Sequence, residues 1–337
     1  MIMNQWTAWI GRLSRRSGGW AARGAMLVVL MAILAGCGSL ADPISAASVG
    51  GQGISMGAYT QMLAFMKAGA VSQNQVVDWQ TPSGRVGLAG SQKNALDMLV
   101  QIALTHEQAV SHHVTVAKQD LKTEVDTFAA GTASSLAQGS TPSARQVDQF
   151  ARDAQASLKR DGLPDITALL QSSAPNPVMM YLWGQTEQGA LISRQLKVPT
   201  LHLRLMVLNT QQQAEALEAQ VRQGADFGQL AHLNSQDQST AQQGGELGQI
   251  YVGELVAPLD AALFGAGSSK TDKYRILPFN GKFLLCEVTQ SGSDAIANLK
   301  DARTENGVFA GWIRDVVRPA ASVQTFVAID SVASGQS

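Results

Sequence analysis

Between Thr200 and Val207 apolar and polar residues alternate: Leu201, Leu203 and Leu205 fall on one side, His202 and Arg204 on the other. That two-residue period predicts a half-buried strand. Past Asn209 the period lengthens. Thr210 stands as an N-cap with Gln213 three residues on, Ala214, Leu217 and Val221 follow at helical spacing, and Gly224 stops the run. Asp226 caps a shorter helix carrying Phe227, Leu230 and Ala231. Asn234 to Asp237 and Gly244-Gly245-Glu246-Leu247-Gly248 then form a loop rich in residues that tolerate positive φ. Pro258 suits the first turn of a helix ending at Phe264, and Asn280-Gly281 joins two apolar runs as a type I′ hairpin does. The stretch 198–290 therefore reads as one α+β unit, a small antiparallel sheet flanked by helices, with a shallow apolar groove.

Helical spacing dominates elsewhere. Val49 to Ile54 has the glycines of a small hairpin, Ser55 is an N-cap, and Ile54 and Tyr59 stand at the two positions of a hydrophobic staple. Tyr59, Met62, Leu63 and Met66 mark a first helix; Leu96, Leu99, Val100, Ala103 and Val110 a second; Leu121, Val125 and Phe128 a third. Gly131 to Ser140 reads as a small-residue loop, and Val147, Phe150, Ala154 and Leu158 mark a fourth helix after Pro142. A further helical stretch, Ile166 to Leu196, is interrupted near Pro175 and Pro177. Beyond the α+β unit come a helix with Trp312, Ile313, Val316 and Val317, then a β-rich tail with Val323, Phe326, Val327 and Ile329. These last elements have no local partner. Segments 37–197 and 291–337 are thus expected to form one helical domain, with 198–290 inserted in it.

The amino-terminal 36 residues hold Arg12, Arg15, Arg16 and Arg23, no acid, and an apolar core from Met26 to Leu34 that is too short to span a bilayer. Leu34-Ala35-Gly36-Cys37 reads as a lipobox, which makes Cys37 the lipidated first residue after cleavage of a 1–36 signal peptide. An ordinary secretory signal with an incidental cysteine is the alternative. The whole chain carries −1; without the four leader arginines, 21 basic residues face 26 acidic ones, a net of −5, so nothing invites nucleic acid. With Cys37 lipidated, Cys286 is left alone and is expected to pack as a small hydrophobe. His106, His112 and His113 lack the spacing of a ligand pair and read as a solvated helix end. No metal or cofactor is expected.

Taken together and in order, the His202 strand, Gly224 to Phe227, Leu230-Ala231, Ser235-Gln236-Asp237, the Gly244 to Gly248 motif, the helix ending in Phe264 and the final hairpin resemble a parvulin-type peptidyl-prolyl cis/trans isomerase domain. The split helical domain around it resembles the build of SurA- and PrsA-type foldases. The resemblance implies isomerisation of X-Pro bonds, with His202, Ser235 and Asp237 in the polar part of the site and Leu255, Leu259, Phe264 and Phe283 around the bound proline. Phe283 stands where the family places a second histidine, so the resemblance implies weakened catalysis. The implied partners are unfolded or extended exported polypeptides and, through the lipid, a bacterial membrane, outside the cytoplasm. Two other functions fit the same residues: a holdase with a degenerate groove, and a dedicated helper of surface polysaccharide export.

Overall fold

In the computed structural model, residues 45–72, 78–139, 141–268, 272–299 and 302–327 are described. The chain opens with a hairpin, β1 (Ser45–Val49) and β2 (Gln52–Ser55), turned by Gly50 and Gly51 at φ 57° and 86°. Ser55 Oγ accepts from Ala58 N at 3.0 Å and starts α1 (Met56–Ser72), while Ile54 and Tyr59 are buried together. There follow α2 (Pro82–Ser111), α3 (Lys118–Gln138), α4 (Pro142–Asp161), α5 (Ile166–Gln171) and α6 (Pro177–Ser193). Side chains of Thr81, Thr141, Asp165 and Asn176 cap α2, α4, α5 and α6, and proline fills the first turn of α2, α4 and α6.

Three expectations for this region are corrected. Gly131 to Gln138, read as loop, continue α3; alanine and serine carry little penalty in a helix that already packs along α4, and the chain turns only at Gly139. Val110, assigned to the apolar stripe of α2, is 59% exposed, because in the last turn of α2 it is Ala109, fully buried, that faces the core. His106 is no solvated helix end: its Nδ1 lies 2.7 Å from Oε1 of Glu187, a buried carboxylate on α6. His112 caps α2 by its backbone and His113 turns away at φ 54°.

The long β3 (Lys197–Leu208) leads into α7 (Gln211–Arg222), α8 (Phe227–Asn234), the single turn α9 (Gln238–Ala241), β4 (Glu246–Tyr251), α10 (Ala257–Phe264), β5 (Tyr274–Phe279) and β6 (Lys282–Ala295). The four strands make an antiparallel sheet in the order β4-β3-β6-β5. Thr210 and Asp226 cap α7 and α8 as expected, and Asn280 and Gly281 both take positive φ in the last hairpin. The glutamine of the capping box reaches Asn209 N, at 3.4 Å, in place of the cap's own N–H.

After a 3₁₀ turn, α11 (Ala302–Trp312) runs into a π-helical turn (Ile313–Val317), a last helical turn α12 (Arg318–Ala320) and β7 (Val323–Thr325). β7 pairs antiparallel with β1, Ala47 opposite Thr325, so the carboxy-terminal segment completes a three-stranded sheet with the amino-terminal hairpin. Val308, Phe309, Trp312, Ile313 and Val317 share one core with residues of α1, α2 and α6, and Arg318 bonds Asp97 of α2 at 3.0 Å. The fold is α+β: a helical body made of both ends of the chain, with the sheet unit between them. Tyr251 and Val252 of that unit are buried in the helical core itself.

Candidate functional site

The sheet has two different faces because every strand alternates. Met206 and Leu208 of β3 and Leu285 of β6 bury under α7 and α8, against Ala214, Leu217, Val221, Phe227 and Ala231. Leu201, Leu203, Leu205 and Val207 point the other way, towards α10. The strand expected to be half-buried is therefore covered on both sides over its second half. Pro258 in the first turn of α10 sets the helix against the sheet. Leu259 then meets Leu284 and Cys286, while Leu263 meets Leu201 and Leu203. Leu255, half-buried, closes both clusters, and Val256 beside it is 51% exposed.

The seven residues expected to form the site do not come together. Leu255, Leu259 and Phe264 stand on the α10 side, Phe264 packing at once against Leu263's cluster and the helical core. His202 and Phe283 lie on the opposite face of the sheet, and far apart on it. His202 pairs with Gln290 midway along the β3/β6 ladder, and Phe283 with Leu208 at its end. The expectation that Phe283 lies beside His202 is thus corrected by the register. Phe283 and Leu285 do share a face, but Phe283 packs among the α7-side residues.

His202 stands at a bulge where the β3/β6 register slips, a device that re-aims a side chain. Its Nδ1 is 3.2 Å from Glu246 Oε1, its backbone oxygen accepts from Thr289 Oγ1 at 3.1 Å, and 41% of the side chain is exposed. Thr200, Gln249, Gln290 and Asp294 line the polar cleft around it.

Ser235 and Gln236 bond β3 at Val207, beyond its pairing with β4. Ser235 Oγ accepts from Val207 N at 3.0 Å, and Gln236 N donates to Val207 O at 2.7 Å. Asp237 caps α9, accepting from Ser239 N and Oγ and from Thr240 Oγ1 at 3.1, 2.6 and 2.8 Å; these hydrogen bonds hold its carboxyl below the usual value. All of its acceptor bonds go to its own turn.

The polar network buried in this unit is one the sequence reading missed. Arg204 lies over the Phe227 ring, 5.2 Å from its centroid, donates to Gly244 O at 3.2 Å, and pairs with Glu287 at 3.1 Å. Lys273 reaches the same carboxylate at 2.9 Å and Tyr274 OH at 3.3 Å. A buried carboxylate with three donors braces the fold. Its signal was available: Arg204 and Glu287 are the charged positions that fall on the covered face of otherwise apolar strands. In the groove, Cys286 is 3% exposed and burial pushes its thiol up to about 12, which leaves it inert as a nucleophile. Cys37 lies outside the described residues.

The α10 side of the sheet is accordingly mostly apolar, with leucines, Val207, Phe279 and Cys286 around it, and its guanidinium, Arg275, donates to the carbonyls of Ala262 and Leu263. Such a surface can take a proline ring and exclude water, while the side-chain donor beside it, Arg275, is bonded to α10 carbonyls.

Residues 206–278 match the family model of the PPIC-type peptidyl-prolyl isomerase domain. The match takes in Ser235, Asp237, Leu255, Leu259 and Phe264; His202 and Phe283 fall outside it. No curated protein sequence matches the chain. Among solved structures, a peptidyl-prolyl isomerase PrsA of Bacillus anthracis is 14% identical, with 65% of this chain and 95% of that one covered, at a TM-score of 0.26. The foldase PrsA of Streptococcus pneumoniae is 16% identical over 67% and 79%, at 0.27. A SurA-like chaperone of Campylobacter jejuni is 17% identical over 40% and 55%, at 0.26. These superpositions are loose, and the assignment rests on the matched stretch and on the order of its elements. Residues 206–278 belong to the PPIC-type, or parvulin-type, peptidyl-prolyl isomerase family, and the chain carries that domain between the two halves of a helical body.

Proposed function

We propose that the protein is an extracytoplasmic foldase, lipid-anchored through Cys37, whose parvulin-type domain binds X-Pro segments of exported chains and isomerises them slowly. The observation that carries this reading is the groove between α10 and the sheet, lined mostly by apolar side chains, with His202 on the opposite face. Isomerisation has to overcome a barrier of about 20 kcal/mol set by amide resonance. Burying the proline ring and stripping water from the amide favours the twisted, less charge-separated form; a gain of about 1.4 kcal/mol gives tenfold in rate. The polar group beside the groove, Arg275, spends hydrogen bonds on the carbonyls of Ala262 and Leu263, and His202 is on the other face, which is why binding is kept and acceleration is small.

Anchoring rests on the Leu34 to Cys37 motif. Among the described residues no helix is long and apolar enough to cross a membrane. Mass spectrometry of the amino-terminal peptide is expected to show an acylated Cys37; an unmodified residue there removes the anchor.

The deciding experiment runs two assays on the full chain: exchange between cis and trans forms of a leucine-proline tetrapeptide, and suppression of aggregation of an unfolded protein. Acceleration that is measurable and is lost in Leu259→Ala supports the isomerase. Aggregation suppression with no acceleration at all replaces it with the holdase.

A further inference from the structure

The groove helix α10 and the turn that leads into it are each fastened to the carboxy-terminal helix. At the turn, backbones touch: a Cβ on Gly311 would stand 2.2 Å from Gly253 Cα, and one on Gly253 would stand 2.5 Å from Gly307 O. No side chain fits there. On the helix, Asp260 of α10, fully buried, accepts from Gly253 N at 2.7 Å and from Arg314 Nη2 at 3.2 Å. Arg314 also bonds Asp315, itself 5% exposed, at 2.8 Å through Nε. Arg314 and Asp315 project from the π-helical turn, an interruption common where a helix serves a site. Between the two points, Tyr251 and Val252 sink into the helical core beside Val308, Phe309 and Trp312.

Asp260 is next to Leu259, and Leu263 lies one turn on. We propose that the carboxy-terminal helix is a working part of the proline groove: Gly311, Arg314 and Asp315 set the distance between α10 and the sheet, and Asp260 and Arg314 are positioning residues for the isomerase. The proposal rests on the groove being the proline site. Two carboxyls share one guanidinium here, and no side chain could replace the glycine contact. A fastening of this kind holds α10 in one place only while its charges balance. Burial, then the neighbouring Asp315, push the Asp260 carboxyl up to about 7. The other charged groups around α10 are already paired. Arg275 of β5 donates to the carbonyls of Ala262 and Leu263 at the end of α10 itself and ties it to the sheet, Glu254 accepts from Tyr251 N, and Asp97 of α2 is held by Arg318 and Lys93. Opening with rising pH is therefore expected from the Asp260 and Asp315 pair.

The test uses the full chain with methyl-labelled leucine and the leucine-proline tetrapeptide. Leu259 and Leu263 methyl resonances are expected to titrate with a midpoint near pH 7, and to lose that titration in Asp260→Asn, while Leu121 in the helical body stays still. Arg314→Ala is expected to raise KM for the peptide about tenfold with kcat little changed, and Arg314→Lys to recover most of it. A Leu259 resonance that stays flat across the range, or an Arg314→Ala chain that remains folded with KM within about twofold, overturns the proposal. Should the wild-type chain neither bind nor turn over the peptide, the isomerase reading fails, and the methyl titration by itself still decides whether the helix positions α10.

Discussion

Phe283 faces Leu208 across the β3/β6 ladder, six positions along β3 from His202 and on the side of the sheet covered by α7. A position that the family resemblance gives to catalysis is here occupied by a core side chain. Replacing it by histidine puts a polar ring among Met206, Leu208 and Leu217. Phe283→His is expected to lower stability by about 1–3 kcal/mol and to leave isomerisation no faster. Urea unfolding beside the tetrapeptide assay checks both; a faster enzyme of unchanged stability contradicts the placement.

Ser235 and Asp237 spend their hydrogen bonds on Val207 and on the turn α9. Ser235→Ala is expected to cost about 1 kcal/mol and Asp237→Ala about 0.5–2 kcal/mol of stability. With its carboxyl held low, Asp237 contributes stability that is present above its unfolded value of about 3.8 and lost as pH falls through the folded one. At temperatures well below melting, kcat/KM of Asp237→Ala should stay within about threefold of wild type. A hundredfold loss in a fully folded variant makes Asp237 catalytic after all.

The pair His106 and Glu187 gives the helical body a pH dependence of the opposite sense. The hydrogen bond to Glu187 raises the imidazole above its ordinary value, against the effect of burial. A raised folded value means stability fully present below the unfolded value of about 6.5 and lost as pH rises through the folded one. Urea midpoints should therefore decline above about pH 6.5 in wild type. His106→Ala, which strands a buried carboxylate, should cost about 3 kcal/mol and flatten that decline. A wild-type midpoint that does not fall over this range is inconsistent with the ion pair.

How far these features could be read in the sequence follows from which forces are local. The caps at Ser55, Thr210 and Asp226, the proline at the start of α10 and the Asn280-Gly281 turn act through neighbours within four residues, and each stands where the pattern put it. The groove leucines were visible as apolar positions of known period. What the sequence left hidden was register. A strand that alternates shows which residues share a face, but not that Phe283 meets Leu208 and His202 meets Gln290, because that depends on the hairpin and a bulge at His202. The pairings of Glu187 and Asp260 lie 81 and 54 residues away along the chain, and nothing local announces them. The α3 extension was missed for another reason: a run of small residues carries no periodicity, yet alanine is the best of helix formers.

Cutting the chain into its parts tests the fold as a whole. β7 lies against β1, and Val308, Phe309 and Trp312 lie against the amino-terminal helices, so removal of 300–337 exposes the centre of the helical core. That truncation is expected to abolish cooperative melting. Removal of 199–290 with a short bridge is milder but not neutral, since Tyr251 and Val252, both buried, and part of Phe264 leave the same core. Losing two such side chains costs about 3–6 kcal/mol at 1.5–3 kcal/mol each, comparable to the stability of many whole domains. The bridged helical body should therefore melt cooperatively at a markedly lower temperature. The isolated 198–290 fragment should also be weak, because Val252 and the Asp260 carboxyl are then open to water without α11 beside them. Calorimetry of the three fragments decides it: a 198–290 fragment that melts as high as the full chain means that the sheet unit stands alone and that Tyr251, Val252 and Asp260 add nothing to its stability.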